Sequence, residues 1–365
     1  MSNFIKQALK ILFFLVFGLF LLYLIFQQQN KAYLADCALK GIPEAQCSLM
    51  DKLIADFKSV NVFYLILVMI MFTLSNISRA MRWNMLLKPL GCEPKLANSF
   101  HTLMIGYFAN LALPRIGEIA RGTALAKYEN TSTRKILGTI FVDRLLDIIC
   151  MFLFVLLTLF FEYDTLLKFL KENIEKKLEQ GDSITIFFVG GFVIFVLGLF
   201  LLYFFKNRIK QMKLYDKVGS LVSGFSEGIK SVKKVENPWL FLGHTIFIWI
   251  MFYLMTYFCF FSFKPTEHLN MSQAMVVAVL GTLGVILPSP GGMGTFHALV
   301  IIGLGFYNIA PSDAFSFANI QFFTIQIGYC TLMGIIAFIS LPLINKKKVE
   351  LSHLLLDAEE EIAKD

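Results

Sequence analysis

The stretch GYFANLALPRIGEIARGTALAKYENTSTRKILGTIFVDRLLDII, residues 106–149, sets Arg115, Glu118, Arg121, Asp143, Arg144 and Asp147 among apolar runs suited to lipid. An ionisable side chain at bilayer depth costs roughly 2.5 to 3.5 kcal/mol on insertion scales, so such groups usually face a cavity, a partner or a substrate. Arg115, Glu118 and Arg121 follow one another at i, i+3 steps, while Asp143 and Asp147 share an i, i+4 face with Arg144 beside them. Two readings follow: a binding site, or boundary charges at the cytoplasmic edge that only pair with each other. Pro114 and Gly117 interrupt the same run, and a broken helix frees backbone groups that only a protein-lined or wet cavity can satisfy within a membrane.

The whole chain of 365 residues is 57% apolar and only 16% charged, which excludes an ordinary soluble domain. It predicts an all-α polytopic integral membrane protein. The net charge of +7 is spread through loops beside apolar segments, the positive-inside signature, so no nucleic-acid partner is expected. Apolar runs predict spanning helices over about 11–26, 59–78, 136–161, 184–205, 238–263 and 316–344. The first is read as an uncleaved span rather than a signal peptide, because QQQNK follows it in place of a small-residue cleavage site.

Between the first two spans, residues 27–58 read as an external loop with four Lys against four acids; Cys37 and Cys47 there either form a disulfide or stay as free thiols. Residues 162–182 read as a second external loop. The most basic loop, 206–236, repeats apolar residues at helical spacing, which suits a helix on the anionic inner leaflet or one packed under the spans. The tail 346–365 is cytoplasmic, as is the amino terminus.

Two apolar stretches do not fit as spans. Residues 96–125 are flanked by basic residues on both sides, so a full crossing would put a basic cluster outside. Residues 272–308 lie in a charge-free segment that must begin and end outside, and LPSPGGMG at 287–294 cannot lie within a continuous helix. Both predict re-entrant hairpins. The order then repeats with every direction reversed: residues 1–183 form one half and 184–345 the other. The breaks align at an offset of 174, Leu113-Pro114-x-x-Gly117 on Leu287-Pro288-x-x-Gly291 and Ala124-Leu125 on Ala298-Leu299. Paired Gly/Pro-interrupted segments in two inverted halves point to a transporter's binding site.

The first tip offers guanidinium groups, whose planar fork suits a phosphate or carboxylate head group, with Glu118, Asp143 and Asp147 orienting the arginines or taking protons. Asn110, Pro114 and Gly117 belong to the same tip. The second offers Ser289, Gly291, Gly292, Gly294 and Thr295, either as backbone N–H donors to an anion or as small residues for close helix packing. His101 and His297 lie in or beside the hairpins, as proton relays or as structural hydrogen-bonded groups. No metal, nucleotide or other cofactor motif is present, so neither catalytic residues nor cofactors are expected.

Through Arg82-Trp83, NLALPRIGEIAR (110–121), VDRLLD (142–147) and LPSPGGMG, the chain resembles the flippase-like transmembrane family named after the membrane domain of lysylphosphatidylglycerol synthase. The resemblance covers roughly residues 60–345. It implies a bacterial inner-membrane protein with two inverted halves that moves phospholipids or polyprenyl-linked molecules between leaflets. Two-domain members add a cytoplasmic aminoacyltransferase domain; here about twenty residues follow the last span, so that activity is not expected. The alternatives are a secondary transporter of a soluble anion, an enzyme acting on lipid-linked sugar, or an oligomeric scaffold; homo-oligomerisation is left open.

Overall fold

Long apolar runs without glycine or proline become long helices, and the polar flanks join them wherever no helix breaker intervenes. A computed structural model describes residues 3–43, 46–170 and 234–346, and among these the chain is helical with no strand. The helices are α1 (Asn3–Leu39), α2 (Leu49–Ser59), α3 (Val62–Leu87), α4 (Leu96–Ala112), α5 (Gly117–Glu129), α6 (Thr133–Phe161), α7 (Tyr163–Leu170), α8 (Pro238–Phe260), α9 (Met271–Ile286), α10 (Thr295–Gly305), α11 (Pro311–Phe322) and α12 (Cys330–Asn345). A π-helical segment, Phe323–Tyr329, joins the last two into one rod. Five segments are long and apolar enough to cross a membrane: Leu12–Leu39, Val62–Leu90, Thr133–Phe161, Pro238–Phe260 and Pro311–Asn345. These correspond to five of the six expected spans. The sixth, 184–205, lies outside the described residues, as do the basic segment up to residue 233 and the tail beyond Lys346.

Two expected boundaries move. Residues 27–58 are largely helical rather than loop: α1 continues through Gln27 to Leu39, because Gln, Lys, Ala and Leu are good helix formers and the first breaker is Gly41. The second span runs nine residues past Ser78 and takes Arg79 and Arg82 inside helix α3. In the expected second external loop, Tyr163–Leu170 is the short helix α7.

A disulfide joins Cys37 at the end of α1 to Cys47 just before α2. Helix α2 then buries Leu49 and Leu53 with Phe315 of α11. Lys52 bridges Asp56 and Asp313 at 2.6 Å each, and Ser316 donates to Asp56. Burial lowers the Lys52 pKa, but the two carboxylates outweigh it and the net shift is upward.

Each interrupted segment folds into a hairpin whose limbs pack side by side, α4 with α5 and α9 with α10. Helices α3 and α8 form the central pair, joined by Ser78 to His244 at 2.8 Å and by Arg82 donating to Thr245 at 3.2 Å. Around them the hairpins exchange partners: α4 lies on α12, and α9 lies on α6. The α4–α12 seam is tight. Phe108 sits so close to Gly334 that a Cβ on the glycine would approach it to 2.5 Å, and paired amide hydrogen bonds of 3.0 and 2.8 Å join Asn98 to Asn345. The α6–α9 seam is pinned at one end, where Ser272 and Tyr307 both donate to Glu162. Towards the hairpin tips that seam opens.

Candidate functional site

Helix α6 carries Asp143, Arg144 and Asp147 into the space that α3, the first hairpin and α8 enclose. Asp143, fully buried, accepts from Arg82 at 2.5 Å, Arg79 at 3.2 Å and Arg121 at 3.4 Å. Asp147 accepts from Arg79 at 2.6 Å and Arg82 at 3.0 Å. Arg121 lies over the Trp83 ring at 5.0 Å, and Trp83 donates to Thr139 at 2.9 Å, so the indole fixes both the guanidinium and its distance from α6. Glu118 pairs with Arg144 at 3.0 Å, and Arg144 also reaches Asp147 at 3.5 Å. Thus Glu118 and Arg121 of the first hairpin find their partners on α6, not on each other.

The hairpin geometry follows from small residues and one amide. Asn110 accepts the backbone N–H of Gly117 at 2.8 Å, satisfying a donor that the first turn of α5 leaves open. A Cβ on Gly117 would come within 2.1 Å of the Gly106 carbonyl oxygen, so only glycine lets the limbs meet here. Overpacking a tight contact costs about 1–3 kcal/mol, and here the obstacle is backbone that cannot rotate away. Gly117→Ala should therefore lower the melting temperature of the detergent-purified protein by several degrees, an effect read by thermal unfolding; an unchanged midpoint would contradict this limb contact.

In the second hairpin Thr295 donates to the Gly284 carbonyl at 2.6 Å, and Ser289 lies 2.7 Å from the Thr295 hydroxyl. Gly291, at φ +57°, packs against Leu111 of the first hairpin, while Gly294 packs against Leu21 of α1. The Gly292 N–H goes to the Ser289 carbonyl at 3.1 Å, so this amide is spent within the turn rather than offered to an anion. Across the tips, Arg115, at φ +65°, donates to the Ile286 carbonyl at 3.3 Å.

A cavity of about 610 Å³ lies between the tips, α3, α6, α8 and the π-helical segment. One end is lined by Arg79, Asn110, Arg115, Glu118, Arg144 and Asp147. The other is aromatic, with Phe154, Trp249 and Tyr253, while Phe252 lies between the two, its ring 5.7 Å from the Arg79 guanidinium. Pro114, Ser289, Gly291 and Gly292 also line it, whereas Arg121 and Asp143 sit behind the wall and Gly117 and Gly294 serve packing. Neither histidine lines it: His101 contacts the Ala97 carbonyl at 2.6 Å, and His297 is buried beside Phe322. Ile148 of α6 and Ile286 of α9 line the cavity while being 64% and 47% exposed, so it reaches the protein surface between those helices.

Sequence reading missed Arg79 and Arg82, which look like the basic flank of a span because they directly follow twenty uncharged residues. Their i, i+3 spacing beside Trp83 was the available signal. The aromatic wall had none, since aromatic residues are common throughout the apolar spans.

Comparison with known proteins places this arrangement in context. A UPF0104 membrane protein from Methanocaldococcus jannaschii is 25% identical over 82% of this chain and 91% of its own length. A second from the same organism is 26% identical over 57% of this chain and 84% of its own length, and one from Methanothermobacter thermautotrophicus is 22% identical over 64% and 72%. No solved structure matches. The family model described as the lysylphosphatidylglycerol synthase TM region matches residues 48–334, a range that holds the whole ion network and both hairpins. The chain is a multi-pass membrane protein, and it belongs to the lysylphosphatidylglycerol synthase TM region family.

Proposed function

We propose that the protein moves an amphiphile with an anionic head group between the two leaflets of a membrane, and that it is a translocase rather than an enzyme. The observation that carries this reading is the cavity itself: charged at one end, aromatic at the other, and open sideways between α6 and α9. A lateral mouth suits a ligand that arrives from lipid. A soluble anion, the competing reading, would have no use for the aromatic end.

In this reading the hairpins are re-entrant, their tips meet near the bilayer midplane, and the halves are inverted repeats. The reciprocal packing of α4 on α12 and α9 on α6 supports that symmetry, as does the correspondence of Asn98 and Ser272 at the offset of 174. Alternating access then closes the α6–α9 seam while the α4–α12 seam opens. We place the protein in a cytoplasmic (inner) membrane with both termini inside, on the distribution of basic loops.

The test is leaflet exchange of a fluorescent-head-group lipid in liposomes, read by chemical quenching of the outer leaflet. Ile148→Trp narrows the mouth at an exposed position where the fold tolerates bulk. A steric penalty of about 1.4 kcal/mol slows exchange about tenfold. Exchange no faster than in protein-free liposomes, or equal rates in wild type and I148W, would remove the support for this reading.

A further inference from the structure

We infer that the site takes a head group carrying one net negative charge, such as a phosphodiester, and that Arg144 is the group that grips it; this rests on the translocase reading. The ion network contains four guanidinium groups, Arg79, Arg82, Arg121 and Arg144, but three carboxylates, Glu118, Asp143 and Asp147. One positive charge is therefore unmatched in a region of low dielectric, where an uncompensated charge is strongly unfavourable. An anion that brings one charge completes the set.

Of the four guanidinium groups, Arg144 is the most accessible from the cavity. Arg79, Arg82 and Arg121 are 3%, 0% and 3% exposed at the side chain and packed against Asp143. Arg144 is 39% exposed, lines the cavity, and holds its two acids at 3.0 and 3.5 Å. Its planar fork can turn to an oxyanion without disturbing the buried pairs behind it. Arg115 also lines the cavity but stands outside this network, donating to the Ile286 carbonyl. Beyond the polar end stand Phe154 and Trp249, which carry no positive charge to balance a second anionic group.

The experiment is calorimetric titration of the detergent-purified full chain with short-chain phosphatidylglycerol, short-chain phosphatidylcholine, farnesyl diphosphate and inorganic phosphate. Phosphatidylglycerol should bind about tenfold or more tighter than phosphatidylcholine, the effect of charge-assisted hydrogen bonds to one cavity-facing partner. Arg144→Gln should erase that difference, and Arg144→Lys should restore only part of it, because the charge returns without the fork. Inorganic phosphate at the same concentrations should not bind, since it cannot use the aromatic end. Equal affinity for the two phospholipids would overturn the inference. So would tighter binding of the diphosphate, binding of free phosphate as strong as that of phosphatidylglycerol, or equal weakening of every ligand by R144Q. Binding is read without any leaflet exchange, so a failure here leaves the translocase reading to its own test.

Discussion

Asp143→Asn should be the most damaging single substitution in this chain, costing about 3–5 kcal/mol because it leaves buried guanidinium groups without their counter-charge. One carboxylate, fully buried, serves Arg79 and Arg82 from α3 and Arg121 from α5, and so ties the second span and the first hairpin to α6. Asparagine keeps the size but supplies one acceptor oxygen and an N–H₂ that faces cations. The expected result is little or no monodisperse protein on size exclusion after detergent extraction. Asp147→Asn provides the internal comparison. Its carboxylate is 14% exposed and at the cavity wall, so water can replace part of what is lost and the effect should be smaller. If D143N matches wild type in yield and melting temperature, the network does not hold these helices together.

A reversible thiol cross-link between Asn98→Cys and Asn345→Cys should stop leaflet exchange without unfolding the protein. The two amides hydrogen-bond each other at the base of the α4–α12 seam, so a short, reducible bifunctional thiol reagent can bridge the two positions in this conformation. What it removes is the freedom of the seam to open. If the two halves alternate, closing the second portal traps the α6–α9 side open, and exchange falls to the protein-free rate until a reductant cleaves the link. Each single-cysteine variant treated with the same reagent controls for modification of Cys92, Cys150, Cys259 and Cys330. Full exchange with the link in place would show that the α4–α12 seam is not a gate.

Much of the architecture was legible because it is local. A run of some twenty apolar residues has to pair its own backbone in a membrane, and the helix is the only way a single segment does so. Pro114 with Gly117, and Pro288 through Gly294, break helices wherever they occur, so both hairpins could be placed without contacts. Helix ends were less legible. Gln27 to Lys31 and Arg79 to Arg82 are polar but favour helix as well as the residues before them, so hydropathy stopped where the helix did not.

By itself the sequence determined the helical class, the two interruptions and the concentration of charge at the first hairpin and α6. The tertiary structure decided how those charges pair. Asp143 meets Arg79 and Arg82 across 64 and 61 residues, and no spacing rule within one helix reaches that far. It also decided which arginines are structural and which face the cavity: Arg121 is covered by Trp83, whereas Arg144 lines the open space. The choice between a disulfide and two thiols at Cys37 and Cys47 was likewise settled by proximity, because α1 and α2 bring the two sulfurs together. The cavity is the same kind of fact: its walls come from both halves of the chain, and its shape exists only once the helices have packed.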